Sequence, residues 1–195
     1  MVIDDVVAGM RSLIGRQYVG HVRAFHRGES QIEGWFKGEM IVLLDEMKRA
    51  GKVAGFEHAR EHTVEGGRKK YDFVIAAEGE THAVEIKSWL IGKQKGDTYN
   101  AYWYFTDTGT PLEADAAKLK LWKKGRKVII AYCYRRPEVD DWRLGVKAFQ
   151  RAFPSHGLVA LNEPPDGYPE DFFIGVLEVG ARKFRDGDVK KPPAA

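Results

Sequence analysis

YDFVIAAEGETHAVEIKSW, residues 71–89, consists of two short apolar runs joined at Glu78-Gly79. A two-residue hairpin turn there pairs Phe73 with Val84 and Ile75 with His82, and sets Asp72 opposite Glu85. The side-chain period of two puts Lys87 on the face of Asp72, Glu85, Val74 and Ala83. Tyr71, Phe73, Ile75, Val84 and Ile86 then form the other face, a candidate core surface. A loop of different length would shift this register. Two carboxylates roughly 5 Å apart across a strand pair repel each other unless a cation lies between them. Hard oxygen ligands of this kind suit Mg²⁺, Mn²⁺ or Ca²⁺ rather than zinc, whose structural sites prefer Cys and His.

The segment from about Ser30 to Ala50 predicts a helix whose stripe is Ile32, Trp35, Phe36, Met40, Leu43, Leu44 and Met47, stopped by Gly51. Glu39 lies four residues after Trp35 and four before Leu43, so this periodicity places it on the apolar side. A buried, unpaired carboxylate is costly, which makes Glu39 either paired or part of a site. If the helix packs on the polar face of the hairpin, Glu39 joins Asp72 and Glu85.

An inward Glu on a helix, an Asp entering a strand and a Glu-x-Lys on the next strand resemble the PD-(D/E)xK nuclease superfamily, the restriction-endonuclease-like fold. The resemblance spans about residues 30–135. It implies Asp72 and Glu85 as metal ligands with the backbone carbonyl of Ile86, Lys87 as the catalytic lysine, and Glu39 as the helix carboxylate that completes the site or binds a second metal. Tyr71 stands where the pattern's proline would be. The family's frequent Gln or Lys on the following helix has Lys118 as its candidate here, and Asp115 nearby faces inward with Leu112, Leu119 and Trp122. The implied chemistry is Mg²⁺-dependent hydrolysis of DNA phosphodiesters, with Mn²⁺ able to substitute. The alternative is a non-catalytic nucleic-acid-binding domain on the same scaffold. A homodimer is an expectation from the fold's habit of cutting two strands.

Composition agrees with a folded protein: 195 residues, 44% hydrophobic and 30% charged, with a net charge of +3. The expected organisation is one domain over 1–185 with a disordered tail over 186–195. The class is α/β, a mixed central sheet flanked by helices. No apolar run reaches the roughly 20 residues needed to span a bilayer. Acidic residues stand where a signal peptide is basic, and Cys133 is a lone thiol in an apolar run; both point to a cytoplasmic protein. Positive charge is clustered. Arg68, Lys69 and Lys70 precede the hairpin, Lys93 and Lys95 follow it, and Lys118, Lys120, Lys123 and Lys124 stand on or just beyond a predicted helix over 111–124. These are the candidates for backbone phosphate contacts.

Two further segments have plain readings. RQYVGHVRAFHR is compatible with a short strand. TYNAYWYFTD, 98–107, reads as a strand with Tyr102 and Tyr104 on one face and Trp103 and Phe105 on the other, rather than as a base-stacking platform. For Asp72, Glu85 and Lys87 the plain alternative is a solvated hairpin face carrying a weak surface salt bridge.

Overall fold

The computed structural model describes residues 2–28, 32–59, 61–64, 67–94, 97–106, 112–164 and 172–180. Thr110, Pro111, Lys95 and the tail 186–195 lie outside them. The elements in chain order are α1 (Val2–Leu13), a π-helical turn (Ile14–Tyr18), α2 (Val19–Arg27), α3 (Glu33–Arg49), β1 (Gly55–His58), β2 (Glu61–Val64), β3 (Gly67–Lys70), β4 (Phe73–Ala77) and β5 (Glu80–Trp89). Then follow β6 (Gly92–Gln94), β7 (Asp97–Tyr99), α4 (Ala101–Thr106), α5 (Leu112–Lys120), β8 (Lys127–Tyr134), α6 (Val139–Ala152), a 3₁₀ turn (Pro154–His156), β9 (Val159–Ala160) and β10 (Phe172–Glu178).

The protein is α/β, as its sequence predicts. A six-stranded sheet runs β1-β4-β5-β8-β10-β9, flanked by helices. β5 and β8 are parallel, joined through α4 and α5; the other neighbours in the sheet are antiparallel. The continuous apolar run of β8 is buried throughout after Lys127, as a strand covered on both faces requires. One core layer joins α1 and α3 to the face carrying Phe73, Ile75, Val84, Ile86 and Ile130. The second joins α4, α5 and α6 to the face of Val74, Ala83, Ile129 and Ala131. Among the described residues no helix is long and apolar enough to cross a membrane.

Over β4 the hairpin has the predicted register: Phe73 faces Val84, Ile75 faces His82, and Ala77 faces Glu80; the ladder ends at Phe73, so the expected strand pair of Asp72 and Glu85 does not form. Glu78 (φ 55°) and Gly79 (φ 79°) both adopt left-handed backbone, the geometry of a type I′ turn. Glu78 bears the steric cost of that conformation. Glu78→Asn should therefore raise stability by about 0.5–1 kcal/mol, read from chemical denaturation at constant m.

Several local expectations need correction. Tyr71 does not share the face of Phe73: the chain bends at Asp72, and Tyr71 packs in the second layer with Val74 and Trp122. Residues 19–27 are helical because Val22 and Phe25, one turn apart, both turn inward, Val22 into the core and Phe25 against Trp35. Residues 101–106 form α4 rather than a strand. Asn100 Oδ1 accepts the Trp103 N–H at 3.0 Å, capping the turn, while Ala101 and Phe105, four apart, are buried. The basic helix ends at Lys120. Trp122 leaves the helical path, and its Nε1–H donates to the Thr81 carbonyl at 2.9 Å.

Candidate carboxylate–lysine site

β5 delivers Glu85 and Lys87 to the same side, facing α5 in the second core layer. Asp72, at the bend just before β4, replaces a ladder contact with its side chain: Oδ2 accepts the Ile86 N–H at 2.9 Å. Its Oδ1 lies 2.8 Å from Lys37 Nζ on α3, and the same ammonium lies 2.7 Å from Glu33 Oε1. On the α5 side, Lys118 Nζ lies 2.7 Å from Glu85 Oε1 and 3.2 Å from Asp115 Oδ1. Asp115 Oδ2 in turn meets Lys87 Nζ at 2.6 Å. The result is two short charge chains, Glu33–Lys37–Asp72 and Glu85–Lys118–Asp115–Lys87, meeting where β4 and β5 begin to part.

Glu85 is 3% exposed. Burial, helped by the Asp72 carboxylate and opposed by Lys118, pushes its carboxyl up to about 7. Burial would lower the Lys118 ammonium, yet the contacts with Glu85 and Asp115 outweigh it, and the net shift is upward. The same balance, with Asp72 and then Glu33, raises Lys37. Tyr71, pushed up to about 12 by burial and Glu85, donates its hydroxyl to the Lys118 carbonyl at 3.2 Å and lies under the Lys118 ammonium.

Of the expected site residues, the structure brings Asp72, Glu85 and Lys87 into one cluster. Ile86 contributes its N–H to Asp72 while its side chain is buried in the core. Glu39 is not brought to them. At 100° per residue it lies about 160° around α3 from Lys37, the residue that reaches Asp72. The fully buried stripe is Phe36, Met40, Leu44 and Met47. Glu39 shares the flank of Trp35 and Leu43, which faces the N-terminal helices: Trp35 packs on Tyr18 and Phe25, and Leu43 sits over Gly9. The carboxylate that α3 does bring near Asp72 is Glu33. The i, i+4 spacing of Glu33 and Lys37, beside the stripe at Phe36, was the sequence signal that could have found this pair.

Among the basic candidates, Lys118 belongs to the site itself rather than to an outer phosphate-binding surface. Lys70, Lys120, Lys123 and Lys124 are exposed and Lys69 is half-buried. Arg68 is exposed and lies 3.9 Å from Glu61. Lys93 has its backbone in β6, and Lys95 lies outside the described residues. Among the described residues no three His, Cys, Asp or Glu side chains are grouped to hold a metal ion. Comparison with known proteins finds no matching protein-family model, no matching curated protein and no matching solved structure.

Proposed function

We propose that the protein is a metal-dependent nuclease that hydrolyses DNA phosphodiesters at the Asp72–Glu85–Lys87 cluster. The observation that carries this reading is the convergence of a carboxylate at the bend before β4 with one on β5 and a lysine two residues beyond it, beside the sheet's parallel junction. It supports the resemblance to the PD-(D/E)xK nucleases and a restriction-endonuclease-like core. The donor chemistry fits Mg²⁺ or Mn²⁺: Asp72 and Glu85 offer hard oxygens, and among the described residues no Cys or His is grouped with them to favour zinc. These two side chains would hold the ion with the main-chain carbonyl of Ile86, and Glu33, not Glu39, is the α3 carboxylate that shares a lysine with Asp72. When bound, magnesium supplies Lewis-acid polarisation of the phosphate and a more acidic water.

The protein's own groups have distinct roles in this reading. Lys87 presents its ammonium on the face of Glu85 and stabilises charge developing on the phosphate. Asp115 holds that ammonium in place, so it is a positioning residue. Lys37 and Lys118 neutralise Asp72 and Glu85. Lys69, Lys70, Lys120, Lys123 and Lys124 neutralise flanking phosphates without reading sequence. The buried thiol of Cys133 suits a reducing cytoplasm. Cutting both strands of a duplex at one place would take two copies.

One observation favours a second reading, a nucleic-acid-binding domain without catalysis. Asp72, Glu85 and Asp115 each already carry a lysine partner, as a purely structural network would. Incubation with plasmid, linear and branched DNA in Mg²⁺, Mn²⁺ or EDTA separates the two. The nuclease gives products in either metal and none in EDTA. Salt-sensitive binding with no products under any metal would establish the second reading instead.

A further inference from the structure

Each proposed ligand meets a lysine that has a second acid to hold it. Lys37 Nζ lies 2.8 Å from Asp72 Oδ1 and donates a hydrogen bond to Glu33 Oε1 at 2.7 Å, four residues back on α3. Lys118 Nζ lies 2.7 Å from Glu85 Oε1 and 3.2 Å from Asp115 Oδ1, three residues back on α5. The two lysines come from opposite sides of the sheet, since α3 belongs to one core layer and α5 to the other. Their side chains are 20% and 22% exposed, so an ammonium on a flexible four-carbon stem moves outward without unpacking a core. The atoms they cover are those an ion would use. Asp72 Oδ2 is committed to the Ile86 N–H at 2.9 Å, which leaves Oδ1 facing Lys37. Glu85 Oε1 is buried, and its contact with Lys118 is ionic, without the alignment of a hydrogen bond.

We propose that Lys37 and Lys118 are displaceable counter-ions: they cover the ligand oxygens of Asp72 and Glu85 in the metal-free protein and retire to Glu33 and Asp115 when a divalent ion enters. An ordinary structural pair needs one partner for each charge. It does not need a second acid, one turn from each lysine and outside the ligand set. An ammonium a few ångströms from a divalent ion is strongly repelled, so the two compete for the same oxygens. Charge balance then sets an order of binding. Glu33, Asp72, Glu85 and Asp115 meet Lys37, Lys87 and Lys118, so the fully ionised cluster carries one net negative charge. A divalent ion turns this into one positive charge, which the single charge of a phosphodiester balances. Metal therefore binds first and the phosphodiester second. Lys37 and Lys118 act through the ligands, which makes them positioning residues. The inference rests on the proposed function in taking Asp72 and Glu85 as the ligands.

The test uses the full chain with Mn²⁺ alone as the probe, binding being followed by titration calorimetry and folding by melting temperature. Lys37→Met keeps the apolar stem and removes the ammonium. It should melt below the parent in EDTA, because Asp72 loses its counter-ion, and should recover in Mn²⁺. Its Mn²⁺ affinity should exceed the parent's by at least about tenfold, a small part of the repulsion between charges a few ångströms apart. Lys118→Met should behave alike, and it carries the test if Lys37→Met does not fold. Lys37→Arg, which restores the charge, should return the affinity to the parent's value or below. Lys87→Met is the control. It removes one positive charge from the same cluster but uncovers Asp115, which is not a proposed ligand, so the affinity should rise much less. Asp72→Asn should abolish Mn²⁺ binding. Affinities of Lys37→Met and Lys118→Met no higher than that of Lys87→Met, with Asp72→Asn still abolishing binding, would overturn the inference and leave the ligand assignment standing. No Mn²⁺ binding by the parent or by any folded variant would overturn both.

Discussion

Lys87→Ala should lower DNA cleavage in Mg²⁺ by about a hundredfold to a thousandfold, the usual cost of removing one preorganised charge aimed at a transition state. DNA binding in EDTA should change little, because the lysines proposed to neutralise phosphates lie elsewhere on the surface. The lysine side chain is 15% exposed and its ammonium sits 2.6 Å from Asp115. Removing it leaves Asp115 still 3.2 Å from Lys118, so no carboxylate is stranded and the fold should persist. Lys87→Met, which keeps the apolar stem, should be equally inactive. Asp115→Asn should lose less, because it loosens the ammonium without removing it. Rates in single turnover, with melting curves alongside, decide the matter. Undiminished cleavage by Lys87→Ala in metal-replete buffer would end the assignment of this site.

The part of the site built by the hairpin was legible because short-range chemistry determines it. Glu78-Gly79 limits the loop to two residues, the loop sets the register, and strand alternation puts Glu85 and Lys87 on one side. The contribution of α3 was not legible in the same way. Trp35 and Leu43 widen the apolar stripe toward the N-terminal helices, so hydrophobicity alone cannot say which margin faces the sheet. Glu39 was drawn to one margin, while Glu33 and Lys37 occupy the other. α4 shows a related limit. Tyr102 to Phe105 have strong strand preference, but Asn100 caps a turn that buries Ala101 and Phe105 beside Trp142, and packing prevails. Asp115 could be placed from helical spacing because Leu112, three residues before it, and Leu119, four after it, mark the inner face of α5.

The same reasoning makes Glu85 the residue whose replacement should separate function from folding. Its folded-state pKa, about 7, lies above the ordinary value of 4.5. The folded chain thus binds this proton more tightly than the unfolded chain. The stabilisation is complete below 4.5 and is lost as pH rises through about 7. Above that, the fold carries an ionised carboxylate in a buried place beside Asp72, offset only in part by Lys118. Glutamine has nearly the same shape and no charge at any pH. Glu85→Gln should therefore be more stable than the parent at pH 8, by an amount on the order of 1–3 kcal/mol, and its stability should no longer decline across that window. Lys118 keeps Asp115 as a partner, which limits the opposing loss. On the proposed function, the same variant should bind Mn²⁺ far more weakly, since one of the two proposed hard ligands is gone. A gain in stability together with a loss of metal binding would mean that the carboxylate is kept for chemistry at the expense of the fold. If Glu85→Gln instead melts below the parent at pH 8, the Glu85–Lys118 contact is a structural ion pair, and the observation that carries the nuclease reading loses its force.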